Sequence, residues 1–309
     1  MIKVENVTKY YGKRLAVDNI SFSVKKGEIV GFVGPNGAGK TTTMRMLTGF
    51  LAPNDGEVEI AGHDMLRHSL EARRYVGYLP ESIPLYTDIT VRSYLEFAAR
   101  LRGLEPARVK DRIDAVVSLC HLEEYVDSII GKLSKGFRQR VGVAQAIIHE
   151  PQVLILDEPT IGIDPLQVAM TRQLIRDLGK DRTILFSTHI LTEVSTVCER
   201  VIVMHQGKIV AQDRIEKLAT ILQGGRRLRI EISGPAEQVA SRLRKVDGVT
   251  QVSTKGSRHV VECSGAQDPR AAIMQAMVES GWTVLSLEAL AMSLEDVFLK
   301  LIARQEAKQ

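Results

Sequence analysis

Two carboxylates stand side by side at the end of an apolar run in VLILDEPTIGIDP, Val153 to Pro165. Val153 to Leu156 read as a buried strand, and a buried charge without a counter-charge is costly. Asp157 and Glu158 also repel each other, which tends to raise one of the two pKa values. Neighbouring residues at a strand end face different sides. The pair can therefore divide its work: Asp157 toward a cation, Glu158 toward an incoming nucleophile.

The stretch GPNGAGKTT, Gly34 to Thr42, supplies the cation's companion. It matches G-x-x-x-x-G-K-[ST] and lies between the strand-like GEIVGFVG and a helical stretch, Thr41 to Thr48, the context that this pattern requires. Gly34, Gly37 and Gly39 let the backbone curl around Asn36 so that several N–H groups point into one anion nest, with Thr42 following at the helix start. The helix adds its positive dipole end. Lys40 then reaches the β- and γ-phosphates of a nucleotide, and the Thr41 hydroxyl ligates Mg²⁺. In that setting the cation at Asp157 is the Mg²⁺ of Mg·ATP, approached through a water. His189 ends TILFSTH at the same sheet edge, the edge where open α/β sheets bind ligands, and is a candidate γ-phosphate contact. In LSKGFRQR, the Ser134 hydroxyl and the Gly136 N–H at a helix start make a second anion site. One chain with two anion sites but one phosphate loop implies that the second serves another molecule's nucleotide.

The elements that must position these residues follow from periodicity. The first sixty residues alternate as strands with glycine turns between them. From about Thr90 to Leu133 apolar residues recur at three- and four-residue spacing, as in helices. A further helix is expected from about Phe137 to His149, with an apolar stripe of Phe137, Val141, Ala144 and Ile148. The short buried strands VLILD and TILFSTH are separated by the helical PLQVAMTRQLIRDLG, which implies a parallel sheet covered on both faces. LQGGRRL, Leu222 to Leu228, reads as a linker. Beyond it the order βαββαβ predicts a ferredoxin-like sandwich. A last helix is expected, with a capping box at Ser293 to Asp296 and a face of Leu294, Val297, Phe298 and Leu301.

Composition sets the outer bounds. The 309 residues are 44% hydrophobic and 25% charged, as in a globular protein with a core of ordinary size. A net charge of +4, from 41 basic and 37 acidic residues, is too balanced to point to nucleic acid or an anionic membrane surface. Cys120, Cys198 and Cys263 form no CxxC pattern and read as reduced thiols of a cytosolic chain. No apolar run approaches a membrane span, and the N-terminal MIKVENVTKYYG has no signal-peptide core. Membrane contact is expected only through a partner.

Taken together, these motifs resemble the nucleotide-binding subunits of ATP-binding cassette (ABC) transporters, over about residues 1–220 and in the family's order. The resemblance implies an α/β P-loop ATPase domain at 1–222, with a mixed sheet, an antiparallel β subdomain and a helical subdomain at about 85–150, followed by an accessory domain at 226–309. Gly34 to Thr42 is similar to the Walker A loop, Val153 to Asp157 to Walker B, and Glu158 to the catalytic glutamate. Tyr11, in KYYGK, resembles the aromatic residue that stacks on adenine. Ser134 to Phe137 occupies the signature loop, Asp164 the D-loop, and His189 the switch-histidine position. In GYLPES, Glu81 stands where the Q-loop usually has glutamine; a carboxylate can still ligate Mg²⁺ or orient water but donates no N–H. The signature reads LSKGF where LSGGQ is common, so Lys135 adds charge and Phe137 removes an amide. The resemblance further implies a head-to-tail dimer, homodimeric or paired with a related ATPase subunit, closed by ATP and opened by hydrolysis.

YLPE, LSKGFRQR and the tail SLEDVFLKL resemble the ATPases of ABC-2-type exporters. That implies a separate transmembrane permease subunit and a location at the inner face of the cell membrane. Two alternatives stay open: a mechanical or regulatory ATPase on a membrane complex, and a soluble ABC ATPase that transports nothing. Fewer than a hundred residues separate Lys40 from Ser134, which leaves no room for the coiled coil of DNA-repair relatives. No nucleic-acid partner is expected.

Overall fold

Alternation of apolar residues builds the first sheet. Ile2, Val4 and Val7 are buried along β1 (Ile2–Tyr11), and Val17, Ile20, Phe22 and Val24 along β2 (Arg14–Val24). The computed structural model describes residues 1–222, 226–264, 268–290 and Phe298. By its contacts the chain divides into two compact units, Met1–Ile215 and Glu216–Gln309. That division lies at the start of the helix Ile215–Leu222, ahead of the boundary expected at 222–226.

In the first unit, β3 (Ile29–Val33) leads into α1 (Lys40–Leu47), followed by β4 (Asp55–Ile60), β5 (His63–Asp64), α2 (Ser69–Arg74) and β6 (Val76–Leu79). The helical stretch comprises α3 (Val91–Leu101), α4 (Pro106–Leu119) and α5 (Lys135–Ile147). Pro106 starts α4, where a missing N–H costs nothing. α5 begins two residues before the expected Phe137, because Ser134 already caps it: its Oγ accepts from the Phe137 N–H at 3.4 Å. The core then resumes with β7 (Val153–Asp157), α6 (Pro165–Gly179), β8 (Thr183–Thr188), α7 (Leu191–Val197), β9 (Arg200–His205) and β10 (Lys208–Arg214), and α8 (Ile215–Leu222) carries the chain into the second unit.

Two sheets carry the first unit. β2-β1-β4-β5 is antiparallel; β10-β9-β3-β8-β7-β6 is parallel except for its edge strand β10. β7 and β8 are buried along their whole length, as a strand covered on both faces must be. Burial of each such aliphatic side chain contributes about 1.5–3 kcal/mol. Neither β9 nor the edge strand β10 is among the strands expected from the sequence. The hairpin between them turns at Gln206 and Gly207, both at positive φ (46° and 81°), the backbone of a two-residue I′ turn.

The second unit holds β11 (Arg226–Ser233), α9 (Ala236–Leu243), β12 (Val249–Lys255), β13 (Arg258–Cys263), α10 (Arg270–Glu279) and β14 (Thr283–Leu290). Its antiparallel sheet has the order β12-β13-β11-β14, the strand arrangement of a ferredoxin-like sandwich. Leu228, Ile230 and Ile232 share one buried face with Val239, Leu243, Ile273 and Met277 of the two helices. The expected last helix, apart from Phe298, lies outside the described residues.

Candidate nucleotide-binding site

The loop between β3 and α1 folds tightly enough to present its own backbone. A Cβ on Gly34 would lie 2.2 Å from the carbonyl oxygen of Met204, and one on Gly39 2.6 Å from that of Ala16. Gly39 also sits at φ 105° as the N-terminal cap of α1, so both positions demand glycine. No side chain caps α1, which leaves its first N–H groups to the loop's interior. Lys40 is 6% exposed. Its Nζ donates to the carbonyls of Gly34 (2.9 Å) and Pro35 (3.3 Å) and lies 3.2 Å from Glu158 Oε1. Thr41 and Thr42, half-buried, line a cleft of about 610 Å³ together with Tyr11, Asn36, Gly37, Gly39, Glu81 and Glu158.

Asp157 and Glu158 do part company at the strand end. Asp157 is fully buried; its Oδ1 accepts from the Ser187 hydroxyl at 2.5 Å, while Oδ2 has no partner. Burial raises the Asp157 pKa, and the charges of Glu158 and Glu81 add to that; the hydroxyls of Ser187 and Thr41 oppose it. A carboxylate oxygen without a hydrogen bond, under those three raising influences, suits a divalent cation, which would reverse the shift. Glu158 leaves the strand at φ 49°, a left-handed conformation costly for a side chain of this size. Its N–H is held by the Ser187 hydroxyl (3.0 Å) and by the Ser187 carbonyl (3.2 Å). Its carboxylate is gripped at both ends: Lys40 on Oε1, and the Nδ1–H of His189 on Oε2 at 2.9 Å.

Ser134, Gly136 and Asp164 do not line this cleft. Ser134 and Asp164 cap α5 and α6, the latter accepting from the Gln167 N–H at 3.0 Å. The two helix starts are fastened together. Arg140 donates to Gln167 Oε1 at 2.7 Å, and a Cβ on Gly136 would lie 2.9 Å from Gln167 Cγ. Phe137, which stands in place of the family's usual amide, packs on Tyr125 (4.0 Å between centroids) and under Arg140 (5.0 Å). Lys135 Nζ lies against Gly162, where a Cβ would meet it at 2.2 Å.

The structure adds residues that no motif announced. Arg14, Leu15, Ile161, Gln206 and Gly207 also line the cleft. Only Gln206–Gly207 left a trace in sequence, as a turn between two alternating apolar runs. Ser187 was legible only as a strand residue.

Residues 17–161 match the family described as "ABC transporter", and residues 221–302 the family described as "ATP-binding protein DrrA1-3-like, C-terminal domain". The chain is 35% identical over 305 residues to the bacitracin transport ATP-binding protein BcrA of Bacillus licheniformis, covering 98% of this chain and 97% of that one. It is 34% identical over 305 residues to the Nod factor export ATP-binding protein I of Paraburkholderia xenovorans (strain LB400), with the same two coverages. Among solved structures, the dimeric structure of MJ0796, a bacterial ABC transporter cassette, is similar at 26% identity and TM-score 0.64, over 70% of this chain and 99% of that one.

Proposed function

Because the chain belongs to the ATP-binding proteins of the ABC transporter family, we propose that it is the ATP-hydrolysing subunit of an ABC-2-type exporter, driving a separate transmembrane permease from the inner face of the membrane. Two relatives named for bacitracin transport and Nod factor export align over nearly their full length, tail included, which supports the exporter assignment. Among the described residues no helix is long and apolar enough to cross a membrane. The observation that carries the chemistry is Glu158, held between Lys40 and His189 in the cleft.

Phosphates are attracted by the loop N–H groups and by Lys40, with Tyr11 offering an aromatic face to the base. They compete with Glu158 for the Lys40 ammonium. Binding thus frees Oε1 of Glu158 to accept a proton from water as the water oxygen attacks the γ-phosphorus. The bond to the β–γ bridging oxygen breaks, and ADP and phosphate leave. His189 keeps the other oxygen of Glu158 in place throughout, and its ring would contact the γ-phosphate. Thr41, Asp157 and Glu81 would hold Mg²⁺, which neutralises charge on the phosphates. Ser134 and Gly136 of one subunit complete the site of the other, with Asp164 beside them; the dimeric structure of a similar cassette supports the pairing of two subunits.

Glu158→Gln should bind ATP with nearly unchanged affinity and lose about 10²–10⁴-fold in turnover, the usual worth of a positioned base. It should run as a dimer on sizing chromatography in ATP, and adding Ser134→Arg to the same chain should abolish that dimer. Normal turnover in Glu158→Gln would remove the residue from its role; a dimer indifferent to Ser134→Arg would remove the shared site. Recovery of the chain from membranes with no integral membrane protein would count against the transport assignment.

A further inference from the structure

A second carboxylate lies buried behind the first. Glu193, on α7, is 1% exposed. Its Oε2 accepts from two hydroxyls, Thr160 Oγ1 at 2.8 Å and Thr188 Oγ1 at 3.0 Å, and Arg172 lies 3.5 Å from Oε1. Thr160 is two residues past Glu158, on the turn that leaves β7. Thr188 immediately precedes His189 at the end of β8, and its oxygen also accepts from the Ile190 N–H at 2.9 Å. One carboxylate thus joins the two chain segments that carry the Glu158–His189 hydrogen bond. Among the described residues no hydrogen bond or ion pair joins it to the phosphate loop.

From this geometry we infer that Glu193 is a positioning residue for hydrolysis: it holds the Thr160 and Thr188 turns at the spacing that lets His189 grip Glu158. The inference rests on the proposed role of Glu158. Residue type matters here. A carboxylate is acceptor-only and can take both hydroxyl protons on one oxygen while facing Arg172 with the other. Glutamine cannot do both: its NH₂ must point either at the guanidinium or at the two hydroxyls. Aspartate is one methylene too short to span the same three partners. Arg172 supplies a counter-charge to this buried carboxylate. The Glu158 turn carries a left-handed, unfavourable φ, and such backbone persists only where its surroundings hold it.

The test compares steady-state ATP hydrolysis and equilibrium ATP binding in the full chain. Glu193→Gln should leave ATP affinity unchanged and lower kcat by about 10–100-fold, the cost of misplacing a catalytic group by about 1 Å. Thr188→Val, nearly isosteric, should show the same split in milder form, and Thr188→Ser, which keeps the hydroxyl, should return the rate to that of the parent chain. In a Glu158→Gln background, Glu193→Gln should add no further loss to single-turnover hydrolysis, because both act through one group. A kcat unchanged in Thr188→Val, a Thr188→Ser as slow as the valine variant, or losses that multiply in the double variant would each overturn the inference. Normal turnover in Glu158→Gln alone would instead bring down the role of Glu158, and the two failures are told apart by that control. Should Glu193→Gln not fold, the Thr188 pair decides the matter.

Discussion

Lys40 spreads one charge over three oxygens: two loop carbonyls and a carboxylate. It therefore steadies the curve of the loop and neutralises a nearly buried Glu158 at the same time. Nucleotide phosphates are stronger acceptors than amide carbonyls, since a charged partner roughly doubles a hydrogen bond's worth. Lys40→Ala should weaken ATP binding by at least tenfold, from the loss of about 1.5–3 kcal/mol in a hydrogen bond to a charged group. Equilibrium titration with a fluorescent ATP analogue checks this, and an unchanged affinity would take Lys40 out of the phosphate site. The contrast with Glu158→Gln is diagnostic: one variant fails to bind, the other binds and fails to turn over.

At the scale of elements, α5 links two ends of the first unit. Its start presents Ser134 and Phe137, and just past its end His149 turns back to the sheet. The Nε2–H of His149 donates to the Val76 carbonyl at 3.0 Å, beside the start of β6. Burial pushes the His149 pKa from 6.5 down to about 4, and the charges of Arg102 and Arg112 push the same way. The folded chain keeps this ring neutral while the unfolded chain takes a proton below about pH 6.5. Its contribution is thus fully present above that pH and is lost as pH falls toward 4, by at most about 1.4 kcal/mol per unit. The denaturation midpoint of the first unit should accordingly drop between pH 7 and pH 5. His149→Gln, which keeps a donor for Val76, should flatten that slope; an identical slope in both proteins would assign the acid sensitivity elsewhere.

At the scale of the whole molecule, the cleft lies within one unit. Every residue that lines the cleft belongs to Met1–Ile215. The second unit has its own core of Leu228, Ile230, Val261, Ile273 and Met277, and among the described residues no group of three or more potential metal-ligating side chains. A chain ended after Leu222 should bind ATP with unaltered affinity while its dimer stability or its response to a membrane partner changes. If the shortened chain stays folded by circular dichroism and yet cannot bind ATP, the second unit contributes to the nucleotide site.

What the sequence alone determined is the chemistry that is local along the chain. A phosphate loop is one turn between a strand and a helix, so its glycines, Lys40 and Thr41 lie within a few residues and can be read in a line. Asp157 and Glu158 are equally local, two acids at the close of an apolar run. The βαββαβ order of the tail is likewise written in alternating periodicity. Tertiary structure alone decided what meets what across the sheet. β8 lies between β3 and β7, and the register that pairs Asp157 with Ser187 brings a hydroxyl to Asp157 from thirty residues away. The same register carries His189 to Glu158 and Thr188 toward Glu193. Strand order and register are settled by burial of whole faces, not by any short motif. The residues that position the carboxylates, Ser187, Thr160, Thr188 and Glu193, therefore became visible only once the sheet had formed.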